Sequence, residues 1–172
     1  MKILALIEKL ADVADSKEQL QKELNIFEGG HLWNLLVSRY DVVERTQTLE
    51  NFAQDPDLKL VIKSGLKILK KQIANLENII KQYGIPLPKR PPVASESVIN
   101  VEVITDEFIF RSIFSGIQSF IPIHASALIH TTSPKFRETF LTMLINEVGI
   151  YDKLFIYGQL KGWILDPPAY RV

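Results

Sequence analysis

The fold of this 172-residue chain is organised around a proline-rich stretch near its midpoint, Gly84-Ile85-Pro86-Leu87-Pro88-Lys89-Arg90-Pro91-Pro92. Four prolines in seven residues exclude a helix interior, because each proline lacks a backbone donor and clashes with the preceding turn. The sequence on both sides has the periodicity of long helices. The stretch therefore connects two helical halves of one fold.

Length and composition are those of a globular protein with a single core. The hydrophobic fraction of 47% and the charged fraction of 23% are ordinary for such a domain. The 20 basic and 20 acidic side chains cancel, so no global charge recruits nucleic acid or an anionic membrane. The sequence has no cysteine, which excludes disulfides, thiolate metal sites and cysteine nucleophiles.

The N-terminal residues predict a short helical arm. Ser16 opens a second short helix with a capping-box pattern, and this helix ends near Asn25. The charged pair Glu8-Lys9 interrupts the apolar run that a signal peptide needs, so we expect none. Before it, residues 1–14 carry six apolar side chains on or near one helix face: Ile3, Leu4, Leu6, Ile7, Leu10 and Val13.

Four long helices are predicted after this arm. We place the arm at 1–28 and the bundle at 29–172, because the Gly29-Gly30 pair is expected to break the chain. Asp55-Pro56 and Ser133-Pro134 each combine a capping side chain with a proline suited to the first helical position. The predicted helices cover about 30–53, 56–83, 105–131 and 134–161, and the crossover between the two pairs covers 85–104.

The same start and stop signals occur twice in the sequence. Pro56 and Pro134 are 78 residues apart, and Gly84 and Gly162 have the same separation. This repeat of shape predicts two helix hairpins. The connection at 85–104 covers roughly 60 Å when extended, more than the ~42 Å of the helix before it. We therefore predict an all-α, ferritin-like four-helix bundle in which one long crossover joins the two hairpins.

Several short motifs resemble a known family. They are Gly30-His31-Leu32-Trp33, Tyr83-Gly84-Ile85-Pro86-Leu87-Pro88, Ile104-Thr105-Asp106-Glu107-Phe108, and Leu160-Lys161-Gly162-Trp163 with Pro167-Pro168. The pattern resembles spore coat protein F and a related domain family of unknown function in spore-forming bacteria, over most of residues 29–170. The resemblance implies a ferritin-like bundle with a structural role or no known activity, in the cytoplasm or the spore coat. It supplies no catalytic residues.

The predicted bundle lacks the ligand pattern of a di-iron protein. Such a site takes Glu-x-x-His from two helices, and we expect this spacing nowhere in the chain. Glu147, for example, is followed at that position by Ile150. We therefore expect no catalytic residues, no metal and no cofactor, and the pattern argues against an enzyme.

One charged residue interrupts the apolar stripe of the fourth helix. The 78-residue offset places Glu147 where the second helix has Leu69, so we expect Glu147 to face the core. Counted from the loops, Gln118 and Tyr40 fall at about the same level of the bundle. A buried carboxylate is costly unless it has a partner.

Two interpretations of this level are open. In the first, Glu147 forms a hydrogen-bonded layer with Gln118, Tyr40 or Arg39 that fixes the register of the helices. In the second, the level is the remnant of a metal or small-ligand site around Glu147, with His124 or Glu44 assisting.

The third long helix is apolar on more than one face. A bundle helix needs only one wide apolar stripe, so we predict homodimerisation or docking of residues 1–25 over this helix. The uncharged run at 112–131 is long enough to span a membrane, but Pro122, Gln118 and several serines favour a buried helix.

These observations favour a non-catalytic, coat-type structural or assembly protein that acts through its surfaces. Its expected partners are a second copy or other coat-type proteins, without nucleic acid. The alternative, from a different class, is a bundle that binds a metal or small molecule around Glu147 and His124.

Overall fold

The computed structural model of the chain describes residues 2–13, 15–90 and 104–165, and the regular structure of these residues is α-helical. Most of the crossover, at 91–103, lies outside the described residues, and so does the closing segment 166–172, which contains Pro167 and Pro168. The six helices are α1 (Lys2–Ala11), α2 (Lys17–Glu23), α3 (Ile26–Glu50), α4 (Pro56–Gln82), α5 (Asp106–Ile129) and α6 (Pro134–Lys161).

The second helix of each hairpin begins and ends at the predicted residues. The side chains of Asp55 and Ser133 accept backbone N–H hydrogen bonds from the first turn, and the proline after each takes the first helical position. Gly84 and Gly162 have φ angles of 63° and 71°, a left-handed conformation that glycine adopts without strain. The repeated start and stop signals are confirmed.

The first long helix begins earlier than predicted. Asn25 and Glu28 form a capping box, in which each side chain accepts the other's backbone N–H, at 2.9 and 3.0 Å. The helix then continues through Gly29 and Gly30, so the expected break at this pair is wrong. The closed cap and the buried side chains of the following turns outweigh the cost of about 1 kcal/mol for each helical glycine.

The core lies between two hairpins, α3–α4 and α5–α6, with α3 packed against α5. Its buried apolar residues form two clusters, one at each end of the bundle. Along α3, Arg39 lies between Leu36 of one cluster and Val43 of the other. Along α6, Glu147 has the same position between the clusters, so both charged residues lie at the middle of the bundle.

The ends of α4 and α5 explain the length of the crossover. Asp106 at the start of α5 accepts hydrogen bonds from the backbone N–H groups of Gln54 and Asp55, at 2.7 and 2.9 Å. The start of α5 therefore lies beside the start of α4. The 27-residue α4 ends about 40 Å away, so the connection runs from one end of the bundle to the other. The predicted ferritin-like four-helix bundle is confirmed.

The arm places α1 on α6. Glu8 accepts hydrogen bonds from the hydroxyl of Ser133, at 2.6 Å, and from the backbone N–H of Lys135, at 2.8 Å. Asp12 pairs with the Lys135 ammonium, and both side chains are buried. The expected docking over α5 is therefore wrong for α1, because its polar contacts lie at the start of α6. Homodimerisation stays a prediction.

The outer face of α5 keeps apolar side chains exposed. Phe108 is 52% exposed, whereas its neighbours Ile109 and Phe110 are buried. Among the described helices, α5 alone has the length and composition to cross a membrane, and core helices of globular proteins share this property.

Candidate functional site: a buried charge layer

Glu147 faces the interior of the bundle, as predicted. Its side chain is 2% exposed, and Oε2 accepts a 2.7 Å hydrogen bond from Nη2 of Arg39, which is equally buried. Glu147 follows the buried Met143 by one turn and precedes the buried Leu154 by two, so a continuous helix keeps all three on one face. Of the partners considered for Glu147, Arg39 is the one that the structure provides.

His124 completes this layer from α5. Its fully buried ring places Nε2 2.9 Å from Nη2 of Arg39 and 3.6 Å from Oε2 of Glu147. A guanidinium can only donate, so Nε2 accepts and the neutral ring carries its proton on Nδ1. That Nδ1 is buried and has no hydrogen-bond partner among the described residues. The Phe120 ring covers the guanidinium, with its centroid 4.1 Å from Cζ.

The electrostatics of the layer keep Glu147 ionised at neutral pH. Burial by itself raises the pKa of Glu147, whereas the positive charge and the hydrogen bond of the Arg39 guanidinium lower it, and the net pKa is lowered. The layer therefore holds one carboxylate, one guanidinium and one imidazole. Since the two charges neutralise each other away from water, the arrangement suits a structural ion pair.

Tyr40 is adjacent to Arg39 but bonds to a different carboxylate. Its hydroxyl donates a 2.6 Å hydrogen bond to Glu77 on α4, and Arg90 binds both oxygens of the same carboxylate. Burial raises the pKa of Glu77, but the bonds from Arg90 and Tyr40 outweigh it and the net pKa is lowered. Sequence reasoning missed Glu77, although its position one turn after Ile73 in the apolar stripe was an available signal.

Gln118 is not part of the layer. It lies on the exposed side of α5, so its expected place beside Glu147 is wrong. Gln118 precedes the buried Phe120 by two residues, which rotates it by about 200° around the helix. Its level in the bundle was estimated from the loops, but its direction depends on the rotation of α5. The structure thus brings Glu147, His124 and Arg39 together, with Tyr40 beside them.

The layer does not fit the di-iron centre of ferritin-like enzymes. It offers one carboxylate and one imidazole, and both face the guanidinium of Arg39, whose charge repels a cation. Within residues 2–13, 15–90 and 104–165, no three His, Asp or Glu side chains are grouped as metal ligands.

One Glu-x-x-His spacing does occur in the chain, Glu28 to His31, so the expectation that the chain has none is wrong. The Glu28 side chain is fully buried, and its two oxygens accept the backbone N–H groups of Asn25, Thr132 and Ser133, at 2.9 to 3.0 Å. These bonds tie the start of α3 to the turn between α5 and α6. Glu28 is therefore a structural carboxylate.

Comparison with known proteins places the chain in a family. The family model described as "Protein of unknown function (DUF3231)" matches residues 13–172. The chain belongs to this family. None of the curated proteins matches the chain significantly.

Two solved structures are similar to this family member. One is a provisionally assigned spore coat protein from Bacillus halodurans C-125, at a TM-score of 0.81 and 19% identity, over 87% of this chain and 96% of that one. The other is a two-domain protein from Anabaena variabilis ATCC 29413 with DJ-1/ThiJ/PfpI-like and ferritin-like domains, at a TM-score of 0.55 and 18% identity. That match covers 95% of this chain and 44% of the other. At these identities the likeness shows the fold, and the predicted resemblance to an uncharacterised ferritin-like family is confirmed.

Proposed function

We propose that this protein is a non-catalytic structural component of a spore coat that assembles through its surfaces. The observation that carries the proposal is the apolar face of α1, which is exposed to solvent in the single chain. Two further observations support it. The fold is similar to that of the Bacillus halodurans protein, and the mid-bundle carboxylate of Glu147 is bound to Arg39 and so is not free to react.

The arm helix α1 is amphipathic, but its apolar side faces outward. Its polar side holds it on α6, where Lys9 pairs with Glu138 at 2.7 Å in addition to the contacts of Glu8 and Asp12. Ala5 is the buried residue of this helix. The six apolar side chains of the predicted stripe are between 58% and 83% exposed: Ile3, Leu4, Leu6, Ile7, Leu10 and Val13.

This face is large enough to form an interface. Six aliphatic side chains exposed to this degree present on the order of 600 Å² of apolar surface, which is the upper end for the largest patch on a monomer. A standard interface buries about 800 Å² on each partner. The patch therefore supplies most of the area that a stable contact needs.

The occupant we propose is a second copy of this chain. Two α1 helices that pack face to face across a two-fold axis bury the same six side chains twice, which is the geometry of an isologous dimer. The formal net charge of zero produces no long-range repulsion between copies. The same zero charge provides no attraction to an anionic membrane, which disfavours a lipid surface as the occupant.

Light scattering after size-exclusion chromatography tests this proposal on the full chain. We expect the wild-type chain to form a dimer or a larger assembly and Leu6→Glu to be a monomer, because the charge enters the centre of the apolar face. The matched control is Leu60→Glu on α4. Leu60 is 67% exposed and Leu6 is 58% exposed, so the two variants make the same change at similar exposure, and Leu60→Glu should assemble like the wild type.

Two outcomes would overturn the proposal. One is a wild-type chain that stays monomeric at all concentrations. The other is a monomer that sediments with phosphatidylglycerol vesicles and loses this binding in Leu6→Glu, since the face would then belong to a membrane surface.

A further inference from the structure

The interior of the bundle holds a cavity of about 250 Å³ that all four long helices line. The residues that line it extend from Arg39 to Leu49 on α3 and from Glu147 to Tyr157 on α6. Since a helix rises about 1.5 Å per residue, the cavity is about 15 Å long. The charge layer of Arg39 and Glu147 forms one end. Most of the remaining wall is aliphatic or aromatic, as in sites that hold small apolar molecules.

Two glycines show that this space is not closed by packing. Gly65 on α4 and Gly116 on α5 both line the cavity, and a Cβ built on either meets no atom within 4 Å. By contrast, a Cβ on Gly158 of α6 would lie 2.3 Å from the ring of Phe110. Close packing therefore requires glycine at position 158. At Gly65 and Gly116, by contrast, the absence of a side chain leaves open space.

The cavity adjoins the groove between α4 and α6. It shares three lining residues with that groove, Ile68, Ile150 and Lys153, and Lys153 is exposed. Lys71 lies in the same groove. Two other lysines of the groove form ion pairs with Asp12 and Glu138, but Lys71 and Lys153 have no acidic partner among the described residues.

One residue of the lining, Tyr157, has a polar atom without a partner among the described residues. The hydroxyl of Tyr157 is buried and makes no hydrogen bond within the described part of the chain. Burying such a group without a partner costs free energy. The lining therefore combines a long apolar wall with two exposed cationic side chains, Arg45 and Lys153.

We propose that this cavity binds a medium-chain carboxylate, whose alkyl chain lies along the apolar wall and whose carboxylate lies at Lys153. An apolar cavity of about 150 Å³ binds benzene, and by proportion the present cavity holds a chain of about ten carbon atoms. The inference is independent of the assembly proposed above, because the outward face of α1 does not line the cavity.

Titration calorimetry of the full chain with decanoate tests the proposal. We expect saturable binding of one decanoate per chain, and we expect Gly65→Leu to abolish it by filling the cavity. Leucine favours the helix more than glycine does, so this variant should keep its fold. Gly116→Leu fills the cavity from α5 and serves as the second test if Gly65→Leu does not fold.

The control for cavity filling is Gly30→Leu. Gly30 is an exposed glycine of α3, outside the cavity, where a Cβ also meets nothing within 4 Å. This variant makes the same chemical change and should bind decanoate like the wild type. The cavity is excluded as the site if the wild type does not bind, or if both filled variants bind as tightly as Gly30→Leu does.

The carboxylate is tested with decanol and with Lys153→Gln. We expect decanol to bind the wild type about tenfold more weakly than decanoate, and Lys153→Gln to remove most of this difference. Equal binding of decanol and decanoate by the wild type would overturn the carboxylate assignment.

Discussion

Two buried glutamates of this bundle have arginine partners, and the two arginines differ in position. Glu147 on α6 is paired with Arg39, which is as deeply buried as the carboxylate itself. Glu77 on α4 is paired with Arg90, whose side chain is 68% exposed and belongs to the proline-rich stretch. One ion pair is therefore internal to the helices, and the other joins a helix to the connection between the hairpins.

Because of this difference, the two ion pairs stabilise different parts of the structure. The Arg39–Glu147 pair links helices of different hairpins and lies out of contact with water, so neither partner can be solvated if the other is removed. The Arg90–Glu77 pair holds the start of the crossover against α4, and water reaches its arginine. The first pair fixes how the hairpins pack, whereas the second fixes the path of the chain as it leaves α4.

The largest expected effect comes from breaking the internal pair. Arg39→Met leaves the carboxylate of Glu147 buried without its cation, and we expect the free energy of unfolding to fall by about 3–5 kcal/mol. Urea denaturation followed by circular dichroism measures this loss.

The double variant Arg39→Met/Glu147→Leu is the control for this loss. It replaces both charges with apolar groups of similar size, so most of the stability should return. The two residues are not coupled as a buried pair if the single variant loses less than about 1 kcal/mol of unfolding free energy. The same conclusion follows if the double variant is no more stable than the single one.

A smaller effect is expected from the exposed arginine. Arg90→Ala removes a partner that water already screens, and Tyr40 still donates its hydrogen bond to Glu77. We expect a loss of about 1 kcal/mol or less in urea denaturation, and a smaller loss at high salt. Lys89→Ala changes the exposed neighbouring residue and should have no effect. A cost for Arg90→Ala equal to that of Arg39→Met would remove the distinction between the two pairs.

The smallest effect concerns the loss of stability in acid. The pKa values of Glu77 and Glu147 are both lower in the folded protein than the ordinary 4.5, so each ionised carboxylate stabilises the fold above that pH. The stabilisation is lost as the pH falls below 4.5 toward the folded pKa. At pH 4 each group accounts for at most about 1 kcal/mol of the loss.

Glu77→Gln and Glu147→Gln each remove one of these contributions. Each variant should therefore lose less free energy of unfolding between pH 7 and pH 4 than the wild type does, as measured by urea denaturation at the two pH values. An unchanged loss in both variants would show that neither carboxylate has a lowered pKa in the folded protein.

Much of the fold could be predicted because its signals are local. Asp55-Pro56, Ser133-Pro134, Gly84 and Gly162 act within one helical turn, and their equal spacing indicated two hairpins before any packing was known. The inward direction of Glu147 followed from the 78-residue repeat, which places Glu147 where α4 has Leu69 in its apolar stripe. The start of α3 was misplaced because the Gly29-Gly30 pair was expected to break the chain, and the Asn25–Glu28 capping box, also a local signal, was overlooked.

The rest of the site depends on how separate helices are rotated and placed. Gln118 and His124 belong to one helix, and only the rotation of α5 against its neighbours decides that His124 points to Glu147 while Gln118 faces solvent. Likewise, the apolar stripe of α1 identifies a helix but not the side that packs. The contacts of Glu8 and Asp12 with the start of α6 turn that stripe outward.

The sequence by itself determined six helices, two hairpins, a crossover of bundle length and one inward-facing glutamate, because caps, breaks and periodicity act between residues close in the chain. The tertiary structure decided that Arg39 neutralises this glutamate, that Arg90 neutralises Glu77, and that a cavity lies beside the charge layer. These features arise between residues far apart in the chain, so they depend on the relative height and rotation of packed helices, which no local pattern records.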